Sequence, residues 1–343
     1  MTTRIDDLPR FPLLQGPSPL HRLERLGAAL GGRAELWIKR EDLLPLAFGG
    51  NKLRNLEFIV GAALATGADT LVTAGRRWSN HCRLTAAAGA RAGLAVHLIL
   101  SGPPARGPDG SPVEGPGAML DALLGATVHQ LPTADREDRD AAVRAAEAEL
   151  RANGRRPFSV PVGGSGLPGV AGQVLAAAEL LEQAGTVGAA PGIVVLPSAT
   201  GGTQAGLLVG LRAGGSAAVV LGVLVARRDE ELRPAIVTML AELGPLTGAH
   251  VPASEVVLDG SLLGDGYGVR TRLADDAAAL LARTEGILVD PIYTAKALAG
   301  LIAGVRSGAW DGRQVVFWHA GGTPGLFEPL DEEAVPALAA TLG

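Results

Sequence analysis

Apolar positions in this chain come in short unbroken runs rather than in alternation with polar ones. The clearest are Leu36-Trp37-Ile38, Thr70-Leu71-Val72-Thr73, Val96-His97-Leu98-Ile99-Leu100, Ile193-Val194-Val195-Leu196, Val219 through Val225, and Val315-Val316-Phe317-Trp318. A strand with one wet face alternates, so continuous runs of this kind predict strands covered by helices on both faces. Longer stretches with helical spacing lie between them, among them Arg83–Ala92, Ala141–Ala152 and Val170–Ala184. Strand and helix signals in turn predict an α/β architecture with mostly parallel sheets. The Pro- and Gly-rich segment Ser101–Glu114 reads as a surface loop, and Pro161–Gly169 as a hinge between two lobes. Asp135–Asp140 is a charge run suited to a solvated helix start, and no internal repeat is present.

Composition narrows the function classes. A chain of 343 residues is long enough for two domains and a large core. With 47% hydrophobic and 19% charged residues and a net charge of −5, it lacks the basic footprint of a nucleic-acid binder and any polybasic membrane patch. Its apolar stretches fall short of the ~18 residues of a membrane span. The segment Met1–Asp7 is charged, without the apolar core of a secretory signal. A cytoplasmic protein is therefore expected. The one cysteine, Cys82, excludes an intrachain disulfide framework and a multi-cysteine zinc site, and no metal is expected.

Several stretches carry chemistry. In Phe48-Gly49-Gly50-Asn51-Lys52-Leu53-Arg54-Asn55-Leu56-Glu57, two glycines and an asparagine turn the backbone tightly into a helical run that opens on Lys52. A lysine at a helix start feels the positive end of the helix dipole, which disfavours the ammonium and favours the nucleophilic amine. An isolated first-turn lysine is ordinarily just solvated; the company of Lys52 sets it apart. Leu196-Pro197-Ser198-Ala199-Thr200-Gly201-Gly202-Thr203-Gln204-Ala205-Gly206 joins a strand to a helix with small hydroxyl and glycine residues, which forms a phosphate cup. It has neither the GKS/T of a nucleotide P-loop nor GxGxxG. Thr73 through Arg83 again joins strand to helix, and its Ser79, Asn80 and His81 offer a hydroxyl, an amide and an imidazole to an anionic substrate. No GxSxG elbow exists, and adjacent Ser and His side chains do not form a nucleophile–base pair. The chain's two tyrosines stand in Gly264-Asp265-Gly266-Tyr267-Gly268 and Asp290-Pro291-Ile292-Tyr293-Thr294-Ala295-Lys296, where either phenol can act as an acid–base group. After the last strand, His319-Ala320-Gly321-Gly322 allows close approach of a flat ligand.

Taken together, these stretches resemble the family of pyridoxal phosphate (PLP)-dependent enzymes that holds D-cysteine desulfhydrase and 1-aminocyclopropane-1-carboxylate (ACC) deaminase. Its fold is the two-lobed, tryptophan-synthase-β-like fold type II. The resemblance runs from Leu36 to Phe327, and its most specific pieces are GGNKLRNLE, SNH, GGTQAGL, DPIYTAK and the HxGG turn. It implies a large lobe of residues 1–52 and 168–343 with a small lobe, 53–167, inserted. It implies that Lys52 forms the Schiff base with PLP, that Asn80 bonds the ring oxygen, and that Thr200, Gly201, Gly202 and Thr203 hold the phosphate. Ser79 and His81, with Asn80 and Trp78, would meet the substrate, and Tyr267 and Tyr293 would line its side of the cleft. Thr294 and Ala320 fall at positions facing the ring nitrogen. Relatives are commonly homodimers, which is the expectation for this chain.

The chain also departs from its relatives. Trp78 stands where the family has Gln, after Arg76 and Arg77. His81 and Thr294 follow the desulfhydrase pattern rather than the Gln and Glu of ACC deaminases, yet Ala320 replaces the Thr of the desulfhydrase HTGG turn. A ring nitrogen without a carboxylate partner is a weaker electron sink, which favours loss of a good β-leaving group over ring opening. The resemblance therefore implies β-elimination from a small amino acid such as D-cysteine, giving a 2-oxo acid and ammonia. The alternatives are an ACC deaminase-like or specialised lyase, and a non-catalytic PLP- or amino-acid-binding protein.

Overall fold

The computed structural model describes residues 4–106 and 111–329. Among these residues twelve strands form in the order β1 Leu20–Arg22, β2 Glu35–Arg40, β3 Thr70–Arg76, β4 Ala95–Ser101, β5 Ala105–Arg106, β6 Pro112–Val113, β7 Thr127–Leu131, β8 Pro157–Ser159, β9 Ile193–Ser198, β10 Val219–Leu224, β11 Val257–Asp259 and β12 Gln314–His319. The helices are α1 Glu24–Ala29, α2 Lys52–Ala65, α3 Asn80–Ala92, α4 Pro116–Leu123, α5 Arg136–Ala152, α6 Ala171–Thr186, α7 Gly202–Ala213, α8 Asp229–Thr247, α9 Arg272–Glu285 and α10 Thr294–Arg306.

The strands form two main sheets. One has six strands in the order β1-β2-β12-β9-β10-β11, parallel except for the β1–β2 pair. The other is fully parallel, in the order β7-β4-β3-β8. All strands of the second lie between Thr70 and Ser159, and all strands of the first lie outside that range. Alternate residues explain why the apolar runs are continuous. In the six-stranded sheet Val194, Leu196, Val316 and Trp318 pack with α6, α7 and α8, while Ile193, Val195, Val315 and Phe317 pack with α1, α9 and α10. In the other sheet Leu71, Leu98 and Leu100 pack with α2 and α3, whereas Val72, Ala74 and Ile99 face α5. Burying each such side chain contributes roughly 1.5–3 kcal/mol, so both faces of both sheets hold the fold. Among the described residues no helix is long and apolar enough to cross a membrane.

Three expectations need amending. Ser101–Glu114 is not irregular throughout, because β5 and β6 pair antiparallel within it; its positions 107–110 lie outside the described residues. Pro161–Gly169 contains a 3-10 turn at Val162–Gly164 that is stapled to α2, with Asn55 Nδ2 donating to the Gly164 carbonyl at 2.9 Å. In the charge run, Asp135 does start a helix, accepting from the N–H groups of Glu137 and Asp138, but Arg136 and Arg139 reach an internal cavity rather than facing water alone.

Just before α2 the backbone enters the left-handed region at five consecutive residues, with φ of 68, 45, 65, 64 and 130° from Leu46 through Gly50. At Gly49 a Cβ would sit 2.2 Å from the Asp42 carbonyl oxygen, so no other residue fits there. Hydrogen bonds from Gly50 N–H to Glu41 and from Asn51 N–H to Ala320 then fix the start of α2 beside the end of β12.

Candidate active site

A cavity of about 350 Å3 opens where the carboxyl ends of β3, β4, β9, β10 and β12 converge. That is the crevice in which parallel α/β folds bind ligands, and the volume lies within the roughly 300–1,000 Å3 of small-molecule sites. Of the residues singled out from the sequence, Lys52, Ser79, Asn80, His81, Thr200, Gly201, Thr203, Tyr267, Tyr293 and Ala320 all stand on its wall.

Lys52 is the first residue of α2, and its Nζ has no hydrogen-bond partner among the described residues. Burial lowers its pKa from 10.5 to about 8, which leaves about a tenth of the amine free at pH 7, far more than an ordinary lysine has. The cause is desolvation by burial, at the helix start where the dipole acts in the same direction. Asn51, one residue earlier, does not cap the helix with its side chain; its Nδ2 donates to Thr203 Oγ1 at 2.8 Å and so ties the lysine's turn to the start of α7.

At that start, Gly201 (φ 82°) turns the chain from β9 into α7, where a Cβ would lie 2.4 Å from Ile236 Cγ1. At Gly202 a Cβ would lie 2.6 Å from the Ser165 hydroxyl, and the Thr200 and Ser165 hydroxyls are hydrogen-bonded at 2.6 Å. The result is a backbone cradle of N–H groups at the positive end of a twelve-residue helix, suited to an anion.

The start of α3 forms the facing wall. Ser79 is the N-cap, accepting from Cys82 N–H at 3.2 Å, and Gly75 leaves the room for it. Asn80 Oδ1 accepts from Arg83 at 3.1 Å, which leaves the Asn80 Nδ2 as the free donor. The His81 tautomer follows from its partner. The single proton of the Thr73 hydroxyl goes to the Val160 carbonyl at 2.9 Å, so the 2.8 Å bond between Thr73 Oγ1 and His81 Nε2 has the imidazole as donor. Nδ1 therefore carries the lone pair, and it is buried without a partner. Burial, then the charge of Lys52, lowers the His81 pKa to about 3, so the ring is neutral. His81 is thus a neutral imidazole whose Nδ1 is a free acceptor, and the neighbouring donors for a substrate carboxylate are Ser79 and the first N–H groups of α3.

Tyr267 and Tyr293 donate and accept between their hydroxyls across the cavity. Burial raises both phenols above their ordinary pKa, so both keep their protons near neutral pH. Two expected residues stand behind the wall. Trp78 packs its ring edge against Tyr267, with centroids 5.8 Å apart, and backs onto Gly268, so its bulk shapes Tyr267 rather than touching the cavity. Thr294 is fully buried, its hydroxyl donating to Asp290 Oδ2 at 2.6 Å and accepting from the Asp290 N–H. Asp290 also accepts from the N–H groups of Ile292 and Tyr293, and thereby sets the turn that presents Tyr293. Gly202 lies at the head of α7 with its neighbours on the wall.

Sequence reasoning missed the basic side of the cavity, where Arg136, Arg139 and Arg227 join Arg76. One signal was available: Arg227 comes three residues after β10, at the carboxyl end of a strand that leads toward the crevice.

Known proteins similar to this chain include one family, two sequence relatives and two solved structures. A family model described as pyridoxal-phosphate dependent enzyme matches residues 12–321. A D-cysteine desulfhydrase of Yersinia enterocolitica is 39% identical over 326 residues, covering 94% of this chain and 97% of that one. A D-cysteine desulfhydrase of Salmonella typhi is likewise 39% identical, over 93% and 95% of the two chains. Among solved structures, an ACC deaminase homologue superimposes with a TM-score of 0.87 at 29% identity, over 97% of both chains. A threonine deaminase from Solanum lycopersicum shares the fold at a TM-score of 0.65 and 18% identity.

Proposed function

From the premise that this chain belongs to the pyridoxal-phosphate dependent enzymes, we propose that it is a lyase that removes the β-substituent of a small amino acid, with D-cysteine as the reference substrate. The observation that carries this reading is an unpartnered, desolvated Lys52 amine on the same cavity wall as a helix-borne anion cradle. The residues present fit the cofactor. Lys52 would hold its aldehyde carbon, Thr200 through Thr203 its phosphate, and Asn80 Nδ2 its ring oxygen, while Gly321, where a Cβ would lie 2.5 Å from Gly50 Cα, lets the end of β12 pack against the turn before Lys52.

When bound, the cofactor withdraws electrons from the substrate's α-carbon and makes its C–H acidic. The chain's own residues supply the rest. Lys52, at a pKa of about 8, can take a proton at Nζ and return it near neutral pH. Ser79 Oγ and the first N–H groups of α3 offer neutral donors to an α-carboxylate. The Tyr267–Tyr293 pair shares one hydroxyl proton and keeps the other free to donate to a departing group. His81 Nδ1 offers an acceptor for an N–H or O–H group.

Relatives named D-cysteine desulfhydrase at 39% identity support β-elimination. ACC deaminase-like ring opening is the second reading, favoured by the TM-score of 0.87. Against it, Thr294 spends its hydroxyl on Asp290 and Ala320 has none, so neither offers the cavity a group to hold a ring-nitrogen proton. A visible spectrum before and after amino-acid addition, with 2-oxo acid release from D-cysteine, L-cysteine, D-serine, β-chloroalanine and ACC, separates the readings. Lys52→Ala is expected to lose both the visible band and all turnover; normal activity in that variant defeats the assignment.

The same reading includes a large lobe of residues 1–52 and 168–343, a small lobe of 53–167, a cytoplasmic location and a homodimer. Light scattering on the purified protein tests the last.

A further inference from the structure

The reading above assigns two anionic groups to the cavity, a cofactor phosphate at α7 and an α-carboxylate at α3. Both cradles are built from backbone N–H groups and neutral side chains, and neither uses an arginine. Four arginines nevertheless reach the same cavity, namely Arg76, Arg136, Arg139 and Arg227. Arg136 pairs with Glu231 at 2.8 Å and Arg139 with Asp140 at 2.7 Å. Arg76 and Arg227 have no carboxylate within ion-pair distance and no hydrogen-bond acceptor for their side chains among the described residues; Arg76 only approaches the faces of Trp78 and Tyr267, at 6.0 Å from each ring centroid.

Their positions make this more than surface charge. Arg76 ends β3 in one sheet, Arg227 follows β10 in the other, and α5 brings Arg136 and Arg139 to the same cavity, near enough to Arg227 for their charges to act on it. Gly102 makes room for Arg76, since a Cβ there would lie 2.8 Å from Nη1. Burial and the nearby charges of Arg136 and Arg139 outweigh Glu231 and Asp140 and disfavour the Arg227 cation, as crowded like charges must. Like charges held together in a half-buried site are relieved by an anion, and guanidinium groups suit sulfonate, phosphate and carboxylate oxygens.

We propose that the substrate carries a second anionic group on its β-carbon, which Arg76 and Arg227 hold and which leaves as an oxyanion. This rests on the reading of the chain as a PLP-dependent lyase. In the step, Lys52 takes the α-proton and the electron pair of that C–H bond forms the Cα–Cβ double bond. The bond from Cβ to the substituent breaks, and the substituent departs with its electron pair, as sulfite from a β-sulfonate or phosphate from a β-phosphate ester. One water then replaces the nitrogen, giving a 2-oxo acid and ammonia with no change of oxidation state overall.

The test uses the purified holoenzyme with both enantiomers of 3-sulfoalanine and O-phosphoserine, against β-chloroalanine and D-cysteine, scored by 2-oxo acid release. One of the anionic compounds is expected to exceed β-chloroalanine in kcat/KM by about tenfold or more, with an advantage that shrinks as salt rises. The sulfonate and phosphate arms identify the leaving oxyanion. Arg227→Gln and Arg76→Gln are each expected to lower the charged-to-neutral ratio of kcat/KM roughly a hundredfold, the cost of removing one partner from a desolvated charge pair. Neutral compounds turned over as well as charged ones, with no salt dependence, overturn the proposal and leave the lyase reading standing. Equal losses on charged and neutral compounds place the arginines on the α-carboxylate, and a parallel loss of cofactor affinity in an absorbance titration places them on the phosphate; either overturns the proposal. A holoenzyme inert toward every compound defeats the lyase reading itself. Should a glutamine variant fail to fold, the wild-type ratio and its salt dependence decide.

Discussion

Two regions of this molecule take charge out of water, and they treat it in opposite ways. Beneath the first turns of α2, Arg54, Glu41, Glu179 and Lys39 form a closed network. Arg54 donates to both oxygens of Glu41 at 2.6 and 2.8 Å and to both of Glu179 at 2.9 and 2.8 Å, while Lys39 donates to Glu179, Gln183 and the Ser18 carbonyl. Burial opposes the Arg54 charge, but Glu41 and Glu179 outweigh it and raise its pKa further; burial likewise opposes the Glu179 anion, yet Arg54 and Lys39 hold that carboxyl below its ordinary range. Around the cavity, by contrast, Lys52, His81, Arg76 and Arg227 keep donors or lone pairs without partners. Lys52 and Arg54 are two residues apart on one helix. The difference teaches that the closed network anchors the helix, and the anchored helix can then hold an amine in a state that folding alone disfavours.

Breaking the closed side has the largest expected effect. Arg54→Met leaves Glu41 and Glu179 buried without their main partner and is expected to destabilise the protein by roughly 3–5 kcal/mol, read from denaturant unfolding. A loss under about 1 kcal/mol means that the network is not the anchor.

Breaking the open side is expected to change stability with the opposite sign. Folded Lys52 titrates at about 8 and unfolded lysine at 10.5. Below about pH 8 both are protonated, and the folded state carries the full desolvation penalty, up to roughly 3 kcal/mol. The penalty declines as pH rises from about 8 and is gone above 10.5. Cofactor-free Lys52→Met is thus expected to be more stable than cofactor-free wild type near neutral pH, with the difference closing at alkaline pH. A variant less stable at pH 7 contradicts the comparison.

Two smaller changes sharpen it. Thr73→Val removes the group that fixes the His81 tautomer and is expected to cost about 1–3 kcal/mol of stability, with a fall in kcat that a merely structural loss would not produce. Ala320→Thr adds a hydroxyl to the underpartnered wall; one hydrogen bond is worth about 1 kcal/mol net, so the gain in kcat on D-cysteine is expected to be at most about tenfold.

The comparison also marks what the sequence could disclose. Lys52 was legible because Gly49-Gly50-Asn51 can serve little else, and the central strands because both faces are covered. The edge strands β7 and β11 were not, since Thr127-Val128-His129-Gln130-Leu131 is polar on a largely exposed edge and carries no apolar run. Trp78 and Thr294 adjoin cavity residues in sequence, but whether a side chain faces the cavity or its supporting layer depends on packing partners, Gly268 for Trp78 and Asp290 for Thr294, that spacing does not reveal. Arg136 and Arg139 read as solvated because a charge run is usually that. Only the packing of α5 against β3 and β4 turns their side toward the crevice.

The left-handed stretch from Leu46 to Gly50 has a consequence for anyone who would rebuild this protein. Natural amino acids are of one hand, and three of them here, Leu46, Ala47 and Phe48, are bent into the conformation that their mirror images prefer. In a chemically synthesised or semisynthetic chain, D-residues at these three sites would follow the same path with their strain removed. The turn before Lys52 is thus a place where the protein's own chirality works against it, and where a single inverted centre would leave the backbone unmoved and make it easier to hold.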